Sequence, residues 1–359
     1  MHLERLHVTN VRNIAELELL LQPGINVFVG PNGAGKTSLL EAAYLLSHAR
    51  SFRSGSNETL IRRGSSAATV VASICKTDGV TRLGLSRSAA GWEARVDHAS
   101  VQSLGIALRE FALVCFEPGS HALIAGSSQE RRQFLDWGVF HVEPEFLAVA
   151  RRYRRVLNQR NAALKQAASD AELDVWDSRL VLASEPLNAA RQTYFSQFST
   201  YLRQVLEQFL PELGSATTRL FAGWAVDSQL GEVLKHDRGR DRMRGHTARG
   251  PHRADWSIQF QHAPMREHLS RGQEKLCALA CVLAQAKYYA DARGEWPVIA
   301  LDDLSSELDR EHQNAVVELL MGAGAQVLIS GVEMPSSLPR TAVDIAVFHV
   351  EHGQLRSLL

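Results

Sequence analysis

Gly30-Pro31-Asn32-Gly33-Ala34-Gly35-Lys36-Thr37 constrains this chain more than any other stretch. The octapeptide is a glycine, four free positions and Gly-Lys-Thr, set between an apolar run, Ile25 to Val29, and an apolar helix-forming run, Ser38 to Leu46. Strand, loop and helix in that order build a phosphate cradle, because glycines let successive backbone N–H groups converge on an anion at the positive end of a helix. The expected nucleotide contacts are Gly30, Pro31, Asn32, Gly33, Ala34, Gly35, Lys36, Thr37 and Ser38. Lys36 reaches the terminal phosphates and the Thr37 hydroxyl holds Mg2+, so ATP and Mg2+ are the expected ligands.

A second element answers the first. Val298 to Leu301 is wholly apolar and ends in Asp302 and Asp303. Strand tips of a parallel sheet open onto the ligand crevice, so Asp302 is assigned to the metal, through water, and Asp303 to orienting or deprotonating the attacking water. The bland alternative is a pair of solvated strand-end acids. Lys36 and Asp302 stand far apart in the chain yet must meet at one Mg2+, so the segment between them leaves the nucleotide domain and returns. In Leu269-Ser270-Arg271-Gly272-Gln273, a serine and a glycine at a helix start form another anion site.

Between these landmarks, Leu3, Leu6 and Val8, then Leu17, Leu19 and Leu21, alternate with polar residues as strands do. Three β-rich runs follow, at 69–75, 81–86 and 92–96, and predict an antiparallel subsheet beside the main sheet. Residues 146–169 contain no acid while Arg151, Arg152, Arg154, Arg155, Arg160 and Lys165 accumulate on one long helix. An acidic patch comes next (Asp170, Glu172, Asp174, Asp177), then Leu187, Tyr194, Phe198, Tyr201, Val205 and Phe209 at amphipathic-helix spacing, stopped by Pro211. A second basic stretch, 235–253, carries glycines that argue for a loop. The α/β pattern resumes at Trp256 to Phe260, and a last strand runs from Asp344 to Val350. The expected division is a nucleotide head at 1–120, a mainly helical arm at 121–255 and the rest of the head at 256–359.

The formal net charge is zero, so any attraction to a polyanion must come from local patches. Arg62, Arg63, Arg151, Arg152, Arg154, Arg155, Arg249 and Arg253 are the candidates for phosphate-backbone contact, and no base-reading motif accompanies them. His252 suits either such contact or loop packing, and Arg131 and Arg132 are placed to pair with Asp136 on one helix. Cys75, Cys115, Cys277 and Cys281 read as core thiols. The N-terminus does not resemble a signal peptide and no uncharged apolar run nears the ~20 residues that span a bilayer, which points to the cytoplasm and away from a membrane.

Asn13, the cradle, Arg50-Ser51-Phe52-Arg53, Arg131-Arg132-Gln133-Phe134-Leu135-Asp136-Trp137, Gly250-Pro251-His252-Arg253-Ala254-Asp255, Leu269 to Gln273 and Asp302-Asp303 occur in this order. With them the chain resembles, over nearly its whole length, the bacterial RecF recombination and repair family. The resemblance implies an α/β fold: a P-loop ATPase head of the ATP-binding-cassette type with an antiparallel β subdomain and an inserted helical arm, related to the structural-maintenance-of-chromosomes and Rad50 ATPases. It implies an ATP-dependent head-to-tail homodimer in which Ser270, Arg271, Gly272 and Gln273 close in trans on the partner's nucleotide, and Leu304 to Asp309 communicates between copies. It also implies weak, DNA-stimulated hydrolysis, binding to double-stranded, single-stranded, gapped or junction DNA, and work with RecO and RecR in loading recombinase. Four features depart from the wider cassette pattern: Arg271 replaces a second signature glycine, Asp303 a glutamate, Ser330-Gly331 the histidine switch, and Glu117 stands where a glutamine is expected. The ATPase subunit of a membrane transporter is the alternative reading, disfavoured by the basic insertion.

Overall fold

The computed structural model describes residues 1–53, 57–335, 338 and 345–358. The chain divides into two units, Met1–His121 with Arg271–Leu359, and Ala122–Ser270. The first unit opens with β1 (His2–Val11), β2 (Ile14–Leu20) and β3 (Ile25–Val29), then the helix Lys36–His48. β4 (Ala67–Lys76), β5 (Gly79–Ser88), β6 (Gly91–Val96), β7 (Ala99–Ser100) and β8 (Leu113–Phe116) follow. β9 (Ala216–Phe221) and β10 (Asp255–Phe260) belong to the second unit. The first unit resumes with the helix Arg271–Arg293, β11 (Val298–Leu301), the helix Arg310–Ala323, β12 (Val327–Gly331), β13 (Ile345–Glu351) and β14 (Gln354–Ser357). Asp344, the expected start of the last long strand, lies outside the described residues.

Two sequence patterns give two sheets. Strands that alternate form the antiparallel sheet, in the order β2-β1-β4-β5-β6-β7; on β4, Ala68, Val70, Ala72 and Ile74 point inward and their neighbours do not. Strands with unbroken apolar runs form the other sheet, β14-β13-β3-β12-β11-β8, in which every neighbouring pair from β13 to β8 is parallel. β11 and β12 are buried along their whole length, as parallel strands covered on both faces must be. Leu39, Leu40, Ala43 and Leu46 of the cradle helix join Leu3, Leu6 and Val8 of β1 in one core. Each fully buried leucine there contributes about 2 kcal/mol of burial, so Leu40→Ala would loosen the helix that carries the cradle.

The second unit is mainly helical. Ser128–Val142 starts with a capping box between Ser127 and Glu130, and Phe146–Lys165 precedes the 40-residue helix Asp170–Phe209, capped by Ser169. Two expectations fail here. Trp256–Phe260 is a strand, but β10 pairs with β9 inside this unit, and the chain re-enters the first unit only at Arg271. The basic stretch 235–253 is not a simple loop, because it holds the end of the helix Leu230–His236 and all of Arg238–Arg244. Gly239 sits inside the latter with open space where a Cβ would stand, whereas Gly245, at φ 65°, ends it. Only one of the two glycines acts as a breaker. Among the described residues no helix is long and apolar enough to cross a membrane.

Candidate functional site

β12 lies between β3 and β11, so the loop after β3, the tip of β12 and the tip of β11 are neighbours. Gly30 has φ 154°, and a Cβ there would stand 2.2 Å from the Val350 carbonyl oxygen of β13. Gly35 caps the cradle helix at φ 116°, with a Cβ position only 3.0 Å from the Asn13 amide. The hairpin between β13 and β14 braces the loop, the Gly353 N–H donating to Ala34 O at 2.8 Å. Lys36 is buried, and its ammonium donates to the carbonyls of Gly30 at 2.8 Å and Pro31 at 3.0 Å.

Thr37 Oγ1 donates to Asp302 Oδ1 at 3.0 Å across 265 residues of chain. Ser330, at the tip of β12, donates to the same oxygen and accepts the Asp303 N–H at 3.1 Å. Burial pushes the Asp302 carboxyl above the usual carboxylate range, against the opposing hydrogen bonds from Ser330 and Thr37. The residue beyond β8 on the next strand is Glu117, and the Asp302 N–H donates to Phe116 O at 2.8 Å. Its carboxyl is pushed up by burial and further by Asp302, although the Gly119 N–H at 2.6 Å favours the charged form.

Part of this set lines a cavity of about 250 Å3. Among the described residues its wall carries three cations (Arg12, Lys36, Arg53), three hydroxyls (Thr37, Ser38, Ser330), the amides of Asn13 and Asn32, the cradle glycines Gly33 and Gly35, and one carboxylate, Asp303. A polyanion is the ligand such a wall favours, and the hydroxyl–carboxylate pair of Thr37 and Asp302 offers the oxygen donors a hard dication takes. Of the residues expected from sequence, Lys36, Thr37, Ser38, Asn32, Gly33, Gly35 and Asp303 line this cavity, and Arg12, Arg53 and Ser330 join them without having been assigned a nucleotide contact. Arg53 had a signal in its motif; Arg12 had only its place beside Asn13.

A family model described as RecF/RecN/SMC N terminal domain matches residues 2–354. The DNA replication and repair protein RecF of Stenotrophomonas maltophilia is 46% identical over 361 residues, covering 99% of each chain. The chain belongs to the RecF family. In fold it is similar to the solved structure of the recombination mediator protein RecF-ATP in the RecFOR pathway, with a TM-score of 0.90, 24% identity, and coverage of 100% of this chain and 98% of that one. A likeness also extends to the Smc head bound to the C-winged helix domain of ScpA, at TM-score 0.59 and 16% identity over 100% of this chain and 98% of that one.

In this RecF-family chain Ser270, Arg271 and Gly272 are exposed and Gln273 is half-buried, at the start of the helix Arg271–Arg293. Arg131 forks onto Asp255 at 2.6 and 3.0 Å and Arg132 donates to Ala254 O at 2.6 Å, while Asp136 is held by Arg191 at 2.7 and 2.8 Å. The pairing is between elements and not along one helix. Arg160 is fully buried, bonded to Asp177 at 2.6 Å, Asp241 at 2.7 Å and Thr247 at 2.8 Å, so it cannot meet a phosphate. Arg238 is bound to Asp174 and Asp177 and Arg242 to Asp170, so three acids of the acidic patch are engaged with the second basic stretch. His252 packs: Tyr153 bonds its Nδ1 at 2.7 Å, its Nε2 lies 2.9 Å from Thr247 O, and burial lowers its pKa to about 4.

Of the backbone-contact candidates, Arg62 donates to Asn13 O at 2.9 Å and Arg249 lies 3.6 Å from Asp237. Arg63, Arg253, Arg151, Arg152, Arg154 and Arg155 are exposed, and no ion pair holds them among the described residues. The last four share the face of the helix Phe146–Lys165 opposite the buried Tyr153. Cys277 and Cys281 are buried, and Cys75 and Cys115 half-buried.

Proposed function

We propose that this protein is an ATP-dependent DNA-binding protein of replication and recombinational repair, cytoplasmic, in which a bound nucleotide joins two copies head to tail and slow hydrolysis releases them. The observation that carries the reading is the Thr37–Asp302 hydrogen bond, which brings the cradle and the distant strand-tip acid to one point. Both donors are oxygens, as Mg2+ requires, and Mg2+ when bound there supplies neutralising charge to the outer phosphates. Lys36 exchanges its loop carbonyls for phosphate oxygens, and Arg12 and Arg53 complement the remaining charge. Asp303, the one carboxylate among the described residues of the wall, orients the water in line with the terminal phosphate; such chemistry needs positioning and charge stabilisation above all.

Ser270, Arg271, Gly272 and Gln273 serve the partner's nucleotide, a role their exposure leaves open. DNA lies against Arg151, Arg152, Arg154 and Arg155, with Arg63 and Arg253 as further contacts and Arg62 and Arg249 as lesser ones. RecO and RecR are the partner proteins, in keeping with the pathway to which the RecF-ATP structure is ascribed. The transporter reading is disfavoured because the likeness to named RecF relatives runs through the insertion as well as the head. Sedimentation with a non-cleavable ATP analogue, alone and with gapped DNA, tests the proposal. A single-copy species at every concentration removes the dimer, and failure to bind the analogue removes the nucleotide.

A further inference from the structure

Ser330 makes a pair of contacts that no other side chain among the described residues of the site duplicates. A hydroxyl has one hydrogen to give and two lone pairs. Ser330 gives its hydrogen to Asp302 Oδ1 and receives the Asp303 N–H at 3.1 Å. It is 1% exposed, at the tip of the strand between the cradle strand β3 and β11, from which both the Asp302–Asp303 turn and the cavity can be reached. Asp303 sits at φ 57°, ψ 36°, left-handed backbone that a residue with a Cβ keeps only when its surroundings hold it. The Ser330 hydroxyl holds it at the amide, and the Ser306 hydroxyl at its carboxylate, 3.1 Å away. Next along the chain, a Cβ on Gly331 would come 3.0 Å from the Glu333 carbonyl oxygen, so a larger side chain at that position fits poorly.

We infer that Ser330 is a positioning residue for nucleotide hydrolysis, its one hydroxyl coupling the carboxylate assigned to the cation to the backbone conformation that aims Asp303. The inference rests on the ATP-hydrolysis reading above. Removing the hydroxyl leaves the Asp303 N–H without its acceptor and frees the turn to relax out of the left-handed region, which swings the carboxylate away from the water. Threonine keeps the hydroxyl and alanine does not, so the two variants separate this role from simple packing.

The test uses the full chain with Ser330→Ala and Ser330→Thr, measuring binding of a fluorescent non-hydrolysable ATP analogue with and without Mg2+, together with kcat and KM. Alanine is expected to leave Mg2+-free analogue affinity within about two-fold, to raise the Mg2+ concentration for half-maximal tight binding about five-fold, and to lower kcat about thirty-fold at unchanged KM. Threonine is expected to recover kcat to within about three-fold. Wild-type kcat and Mg2+ requirement in the alanine variant overturn the inference. So does a threonine variant as impaired as alanine, or an alanine variant that loses Mg2+-free affinity and thermal stability together. A wild-type protein that does not bind the analogue overturns the ATP reading instead, before any variant is compared.

Discussion

Arg12 grips Glu41 with both prongs of its guanidinium, at 2.9 and 2.8 Å, and Glu41 is fully buried on the helix that begins at Lys36. The pair ties the turn between β1 and β2 to the cradle helix, and the outer nitrogen reaches Thr59 at 2.7 and 2.8 Å. Arg12 also lines the cavity, so its charge is held in place where phosphate would meet it.

Breaking that pair from the carboxylate side should therefore be costly. Glu41→Ala leaves a guanidinium without its counter-charge and is expected to destabilise the protein by about 3 kcal/mol, whereas Arg12→Met with Glu41→Leu should recover much of the loss. Urea unfolding of the single and double variants measures both. The double variant should still bind the ATP analogue more weakly than wild type, because the cavity has lost a fixed cation.

Lys36 and Asp303 should fail in different ways. Lys36→Ala removes the ammonium that now bonds Gly30 and Pro31, and is expected to weaken analogue binding about a hundred-fold with little effect on thermal stability. Asp303→Asn keeps shape and removes charge, so binding should persist while turnover falls about a hundred-fold and the nucleotide-joined dimer lasts longer. Titration of the analogue, phosphate release and sedimentation separate the two. Unchanged turnover in Asp303→Asn removes the role given to that carboxylate.

The acid side of the stability curve should carry a histidine signature. Burial holds His252 neutral, its pKa depressed to about 4 from the ordinary value of 6.5. The unfolded chain thus takes up a proton near pH 6.5 that the folded one refuses until about pH 4. The stabilisation is complete above pH 6.5, drains away as pH falls through this window, and amounts to about 3 kcal/mol at most. Urea unfolding between pH 7 and pH 4 is expected to show this slope, and His252→Gln to flatten it.

What was legible in the sequence was what is local in the chain. The cradle is eight adjacent residues whose order alone sets strand, loop and helix, and Asp302 announces itself by ending an apolar run. Ser330 carries no such mark, because its place depends on β12 lying between β3 and β11, an order that no local pattern encodes. Arg160 stands in the same acid-free run as the exposed arginines, and nothing local marks it off from them. Spacing shows that Arg151, Arg152, Arg154 and Arg155 share a face, but the acids that pair with Arg160 are Asp177 and Asp241, 17 and 81 residues on, brought together only by the packing of separate helices. Trp256–Phe260 was readable as a strand and not as the partner of β9, since alternation fixes a face and leaves the neighbour open.

That distinction between spent and unspent arginines yields the sharpest test of the DNA surface. Arg238 and Arg242 are engaged with Asp170, Asp174 and Asp177, whereas Arg151, Arg152, Arg154 and Arg155 stand exposed opposite the buried Tyr153. Each phosphate neutralised releases counterions, so log K falls with log salt by about 0.9 per contact. Changing all four exposed arginines to glutamine is expected to cut duplex affinity at least about ten-fold and reduce the salt slope by about 3.6, with unfolding unaffected. Arg238→Gln should do the reverse. It uncouples the buried Asp177, lowering stability by about 2 kcal/mol while leaving the salt slope intact. Fluorescence anisotropy across a salt series, paired with urea unfolding, reads both; an unchanged slope in the four-arginine variant would place the DNA on another surface.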